Sequence, residues 1–275
     1  MNNQQKIRIF VIPAVLLLVL VYSYGQLAAK QKPRKGFSIG ERFHQETSLT
    51  WRGVIGNLFL TKPKKPPQYK TYPGAKLVKL PKPKYQGITV EEAIEKRRSV
   101  RNYSTRPISL LELSQLLFAA QGVTGRMYGE PLRSTPSAGA LYPIEIYVVV
   151  NNVQGLSQGI YHYAIRNHEL ELIKSGDFSA KITDAGLEQE MLGEADVTFI
   201  LSAIFDRIRH KYGERGFRYV YMEAGHISQN IYLQAVSLGL GSVSVGAFID
   251  EKVNQLISID GYKEAAIYLH AVGTL

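Results

Sequence analysis

The chain has 275 residues, a net charge of +10, 45% hydrophobic and 20% charged residues, and no cysteine. That composition supports a packed core and excludes general disorder. The lack of cysteine excludes a disulfide scaffold, a Cys-ligated metal and a thiol nucleophile. The charge is unevenly placed. Residues 1–86 hold 16 Lys/Arg against 2 Asp/Glu, a net +14, whereas residues 87–275 hold 17 against 21, a net −4. The excess basicity is therefore N-terminal, and the rest of the chain is a poor match to a phosphate backbone, so no nucleic-acid partner is expected.

Lys6 and Arg8 precede a charge-free run of 21 residues from Ile9 to Ala29. This is close to the ~20 apolar residues that span a bilayer as a helix. A buried core helix fits poorly, because one-sided periodicity is absent and basic clusters flank the run. The run reads first as an uncleaved membrane anchor. The second reading is a signal peptide cut after Gly25, which the following Lys30, Lys32, Arg34 and Lys35 disfavour. The balance of flanking charge leans to a cytoplasmic domain, with export after cleavage as the alternative. Residues 30–86 are rich in Lys and Pro, as in Lys62-Pro63-Lys64-Lys65-Pro66-Pro67, and are expected as an extended, polyproline-like linker.

The folded domain is expected over 87–275. Thr89 with Glu92, and Ser109 with Glu112, are helix-start signals. The first opens a short helix through Lys96. The second opens a helix with Leu110, Leu113, Leu116 and Leu117 on one stripe, ended by Gly122. Ile144–Val150 and Val197–Ile204 read as buried strands, and Tyr161–Tyr163 with Leu170–Ile173 as a hairpin. Phe217–Leu238 reads as a long helix and Ala265–Val272 as a last strand. Without regular βαβ alternation the class is α+β.

Four stretches carry candidate chemistry. Arg97-Arg98-Ser99-Val100-Arg101 offers three guanidiniums and a hydroxyl, a set that can grip a phosphate. Pro136-Ser137-Ala138-Gly139 opens a small-residue loop that feeds the Ile144 strand and lets a flat ligand approach the backbone. Lys211-Tyr212 lies in a polar, aromatic stretch and can work as an acid/base pair. A glycine-rich stretch runs from Gly239 through Val245, Gly246 and Ala247. It lacks G-x-G-x-x-G and follows a helix, so the dinucleotide fingerprint fails. Taken singly, the Arg cluster also fits a surface cluster, and each of the loops a solvated turn. Glu223 and His226 share a helix face, where a hydrogen-bonded structural pair is expected and no metal.

In this order, with Glu223-Ala224-Gly225-His226 and Gln229-Asn230, the motifs resemble the nitroreductase-like flavoproteins, in the SagB/ThcOx-type dehydrogenase branch, over Gly87 to Gly273. The resemblance implies an FMN-binding α+β fold with a central mixed sheet flanked by helices, in a homodimer with FMN at the subunit interface. It implies that Arg97, Arg98, Ser99 and Arg101 hold the FMN phosphate and ribityl chain. Pro136, Ser137, Ala138 and Gly139 would line the isoalloxazine, and Val245, Gly246 and Ala247 its other side. Lys211 and Tyr212 fall on the acid/base pair of the branch's azoline oxidases. The implied substrate is a small molecule or peptide, with NAD(P)H as a further electron donor. A membrane-tethered flavin-binding module without turnover is the alternative. Ala140 departs from the Asn common in the better-known nitroreductases.

Overall fold

The computed structural model describes residues 38–51, 63–84, 86–127 and 129–275. The hydrophobic run of residues 9–29 lies outside them. No helix among the described residues is long and apolar enough to cross a membrane.

In chain order the helices are α1 (Ile39–Glu46), α2 (Val90–Lys96), α3 (Leu110–Gln121), α4 (Ser179–Ala185), α5 (Met191–Glu194), α6 (Asp206–Tyr212), α7 (Gly216–Ser237) and α8 (Asp250–Leu256). The strands are β1 (Leu77–Lys79), β2 (Ile108–Ser109), β3 (Val123–Met127), β4 (Glu130–Arg133), β5 (Ile144–Val150), β6 (Val153–Gln154), β7 (Gly159–Ala164), β8 (Glu169–Ser175), β9 (Val197–Ile204), β10 (Leu240–Val245) and β11 (Glu264–Thr274).

The expected helix starts form. Thr89 caps α2 by accepting from the Glu92 amide, and Ser109 with Glu112 makes a reciprocal capping box on α3. The seven-stranded sheet runs β1-β8-β7-β5-β9-β11-β10. Here the expectation of a mixed sheet is corrected: every pairing in it is antiparallel. Hairpins and long returns between neighbours make this order, and the parallel pairing of β2 with β6 lies outside this sheet.

β5 is buried along its whole length because both faces are covered. Ile144, Ile146, Val148 and Val150 face one cluster, with Leu113, Leu116 and Leu117 of α3 and Val220, Ile227 and Ile231 of α7. Tyr147 and Val149 face a second cluster, with Ile182 of α4, Leu192 of α5 and Val253 of α8. Each fully buried Leu, Ile or Val contributes roughly 1.5–3 kcal/mol, so the two clusters hold the sheet from both sides.

Residues 63–84 contain no helix, turn at Pro73-Gly74, and run against the folded domain. Leu77–Lys79 adds an edge strand to β8, and the Leu172 amide donates to Lys76 O. α1 lies on α7, with Phe43 edge-on to Tyr221 and the Arg218 guanidinium donating to Thr47 Oγ1 and His44 O.

Candidate functional site

The loop between β4 and β5 is one of two places among the described residues, with Leu187–Glu188, where left-handed non-glycine residues gather. Gly139 (φ 64°), Ala140 (φ 52°) and Tyr142 (φ 47°) are all left-handed. Ser137 holds this shape from within. Its hydroxyl accepts from the Tyr142 amide at 2.8 Å and donates to Glu223 Oε2 at 2.5 Å. Its carbonyl accepts from the Ala140 amide at 3.0 Å. Arg133, buried below the loop, stacks its guanidinium on Tyr142 at 4.4 Å and donates to Gln121 Oε1 at 2.9 Å.

Glu223 is the buried acid of this cluster. Burial pushes its carboxyl up to about 7, against the pull of the Ser137 hydrogen bond and the Arg133 charge. The expected pairing with His226 is corrected: Glu223 turns inward to Ser137 and Gln121, and His226 is exposed. Three residues along a helix put the two on neighbouring positions, but only one of those positions faces the core. Among the described residues no group of three or more His, Asp or Glu side chains is arranged to hold a metal ion.

α6 ends on Lys211 and Tyr212, and Gly213 (φ 57°) breaks the helix behind them. Tyr212 packs edge-on against Tyr219 at 5.0 Å. Both side chains reach toward Gly139. A Cβ built there would stand 2.7 Å from Tyr212 Oη and 2.8 Å from Lys211 Nζ. The ammonium and the phenol therefore converge on the one residue of the loop that has no side chain.

The Arg cluster occupies a second place. The Val100 amide donates to Ser242 O at 2.9 Å and fixes the segment along β10. The Arg97 guanidinium lies 5.1 Å from the Tyr232 ring centroid, and Ser99 Oγ is 3.1 Å from Tyr232 Oη. Tyr232 Oη also accepts from the Ser244 amide at 2.8 Å, and Tyr268 donates to Ser244 Oγ at 2.8 Å. Burial raises the Tyr232 phenol, but the Ser244 and Ser99 hydrogen bonds and the Arg97 charge outweigh it and hold the phenol below its usual value. Arg98 turns back to the main chain and donates to Glu95 O and Arg97 O, and Arg101 is exposed. Val245 is buried at the end of β10, and Gly246 and Ala247 are exposed just past it.

The predicted residues thus fall into two groups. Pro136–Gly139 and Lys211–Tyr212 come together. Arg97, Ser99 and the β10 end come together separately. α7 carries a contact to each, Glu223 to the first and Tyr232 to the second. Nine residues at ~1.5 Å set these about 14 Å apart along the helix axis. Arg133, Gln121, Tyr232, Ser244 and Tyr268 were not among the predicted residues. No local spacing signals them, since each is brought in by sheet register or helix packing.

A Nitroreductase family model matches residues 94–274. A Methanocaldococcus jannaschii protein named for nitroreductases (MJ1384) is 44% identical over 191 residues, which are 70% of this chain and 93% of that one. The Microcin B17-processing protein McbC of Escherichia coli is 29% identical over 150 residues, 53% of this chain and 55% of McbC. A crystal structure of an Anabaena variabilis protein, also named for nitroreductases, superposes with a TM-score of 0.68 at 27% identity, covering 85% of this chain and 46% of that one. The chain therefore spans about half the length of two of these three proteins. With the matched region running from α2 to β11 and including both groups of site residues, the chain belongs to the Nitroreductase family.

Proposed function

We propose that the chain is an FMN-dependent oxidoreductase acting on a small-molecule or peptide substrate, with Lys211 and Tyr212 as its acid/base pair. The observation that carries this reading is the convergence of Lys211 Nζ and Tyr212 Oη on Gly139. The residues fit the cofactor. Gly139 leaves the room that Lys211 Nζ and Tyr212 Oη occupy beside the loop, where any side chain would displace them. Arg97, Ser99 and Arg101 supply the charge-assisted and hydroxyl donors a phosphate and a polyol chain need. Arg98 would release two main-chain carbonyls to join them. Val245, Gly246 and Ala247 would offer backbone groups to the other side of the ring.

When bound, FMN would accept or return the hydride. The polypeptide would do the rest. Lys211 or Tyr212 would hold or take the proton at its side-chain tip, next to Gly139. Glu223, through Ser137, would keep the loop in its left-handed course. The two groups of residues, on opposite parts of α7, favour a homodimer in which each chain contributes one part to a shared site. The exposed Tyr221 and Met222 on α7 suit such a contact. The relative named as microcin-processing favours a peptide substrate, and the relative named as a nitroreductase favours NAD(P)H-linked reduction of a small molecule. The N-terminal run would tether the enzyme to a membrane.

The test is the absorbance spectrum of the purified protein, with the released cofactor identified after heat denaturation. Stoichiometric FMN is the expected result. A colourless protein that also fails to take up added FMN would overturn the reading. FMN bound without NAD(P)H-driven or substrate-driven turnover would replace the enzyme by a flavin-binding module.

A further inference from the structure

Arg207 is the largest of the fully buried side chains among the described residues, and the reading above does not use it. It opens α6 one helical turn before Lys211, so the two lie on the same side of that helix. Its guanidinium reaches three partners in two separate stretches of chain. Nε donates to Pro67 O at 2.7 Å, and Nη1 donates to Tyr142 O at 3.3 Å. Nη1 also lies 2.5 Å from Glu145 Oε1. Tyr142 belongs to the loop that carries Gly139, Glu145 opens the strand that follows it, and Pro67 belongs to the N-terminal segment docked on the domain.

The charge continues behind Glu145. Its Oε2 is 3.1 Å from His162 Nε2, His162 Nδ1 is 2.8 Å from Glu171 Oε2, and Glu171 Oε1 accepts from the Tyr72 amide at 3.1 Å. Burial lowers His162, but its bonds to both carboxylates outweigh this and raise it. The Arg207–Glu145–His162–Glu171 row therefore starts on the Pro67 carbonyl and ends on the Tyr72 amide. Between these ends, Lys70 Nζ is held by Tyr147 Oη at 2.7 Å and Glu264 Oε2 at 2.5 Å. A cavity of about 480 Å³ lies beside this junction, walled in part by Pro66, Pro67, Lys70, Arg207 and Lys263. The 67–72 segment is thus held to the domain largely by polar bonds.

An apolar side chain of similar volume would anchor α6 to the sheet as well as a buried ion pair does. It would not bind two main-chain carbonyls from different segments at once, which a guanidinium fork does. We propose that Arg207 is a positioning residue for Lys211 and Tyr212: it fixes the register of α6 against the Pro136–Pro143 loop, and it makes that register depend on the docked 67–72 segment. Only the turnover readout of this inference rests on the FMN-oxidoreductase reading.

The test uses Arg207→Lys and Arg207→Gln in the full chain, with flavin content, steady-state kinetics below the melting temperature, and hydrogen–deuterium exchange. Arg207→Lys keeps a charge beside Glu145 but lacks the fork. It should bind FMN fully and keep KM, with turnover per flavin at least tenfold lower. Exchange should rise together in 66–72, 136–143 and 206–212. Turnover per flavin within twofold of wild type, or faster exchange confined to α6, would overturn the proposal. Should Arg207→Gln not fold, the double variant Glu145→Gln/Arg207→Gln removes both charges and is read by the same exchange pattern. If the wild-type protein binds no FMN, the functional reading fails, and the exchange pattern alone decides the role of Arg207.

Discussion

Replacing Gly139 by Ala tests the candidate site at its narrowest point. Two effects separate cleanly. The first is backbone strain: Gly139 sits at φ 64°, where an L-residue with a Cβ costs roughly 1–2 kcal/mol. For a domain of this size that lowers the melting temperature by about 2–4 °C per kcal/mol. The second is steric. The new Cβ would stand 2.7 Å from Tyr212 Oη and 2.8 Å from Lys211 Nζ, both closer than such contacts allow. These are the far ends of long side chains, so they yield by several tenths of an ångström at little cost in stability. Chemistry is less forgiving, since a misplacement of ~1 Å can cost ~100-fold in rate. Gly139→Ala should therefore lose tenfold or more in turnover per bound flavin while losing only a few degrees of stability. Gly74→Ala is the control. Gly74 has φ 84° with nothing within 4 Å, so the variant carries a similar strain without the clash. It should melt at about the same temperature as Gly139→Ala and turn over like wild type. Wild-type turnover in Gly139→Ala, measured with full flavin occupancy, would refute the convergence of the pair as the origin of activity.

Lys211→Ala should abolish substrate desaturation and largely spare NAD(P)H-linked reduction, measured with separate assays on one preparation; equal loss of both would remove the distinction between the two chemistries. Glu223 binds its proton more tightly in the folded chain, with a folded value of about 7 against 4.5 unfolded. Its contribution is full below pH 4.5 and is lost as pH rises through 7, by up to ~3 kcal/mol. Urea melts of Glu223→Gln at pH 5 and pH 8 should show less of this loss than wild type, and identical slopes would count against the assignment. His270 shows the opposite dependence. Burial beside Tyr232 lowers it to about 3, so folding disfavours its protonation and stability falls as pH drops below 6.5, by up to ~5 kcal/mol. His270→Gln should flatten the acid limb of the stability profile, whatever its effect at pH 7.

Much of the fold is local in origin and was legible as such. Capping residues at Thr89 and Ser109, the Leu stripe of α3 and the β-branched and aromatic run of β5, interrupted only by Glu145, each specify an element within a few residues. β10 is the instructive exception. Leu240-Gly241-Ser242-Val243-Ser244-Val245 stands out in the sequence only as glycine-rich, with no strand expected there, yet it is a strand paired along its length with β11. Gly241 stands opposite Gly273 in that register. A Cβ on Gly241 would meet Val100 at 2.8 Å, and one on Gly273 would meet Tyr103 at 2.6 Å. The bare rung leaves room for Val100 of the Arg cluster and for Tyr103 just after it to pack against the sheet. Glycine there serves close packing, which composition alone cannot distinguish from flexibility. The sense of the sheet was equally out of reach, since strand direction depends on which distant strands pair.

The site follows the same division. Short motifs marked the Arg cluster, the Pro136–Gly139 loop and Lys211–Tyr212 as candidates, because the chemistry proposed for each needs only adjacent residues. The groups that hold those motifs in place are single residues far away in sequence: Glu223 under Ser137, Tyr232 between Arg97 and Ser244, Arg207 between Pro67 and Tyr142. All but Arg207 lie on α7, and its 22 residues run ~33 Å without a break. Inserting one residue into α7 between Glu223 and Tyr232 would rotate one contact by ~100° relative to the other. It would detach either the loop or the Arg cluster while leaving every motif of the sequence intact. The length and phase of that helix, more than any single motif, therefore decide whether the two parts of the site stay in register.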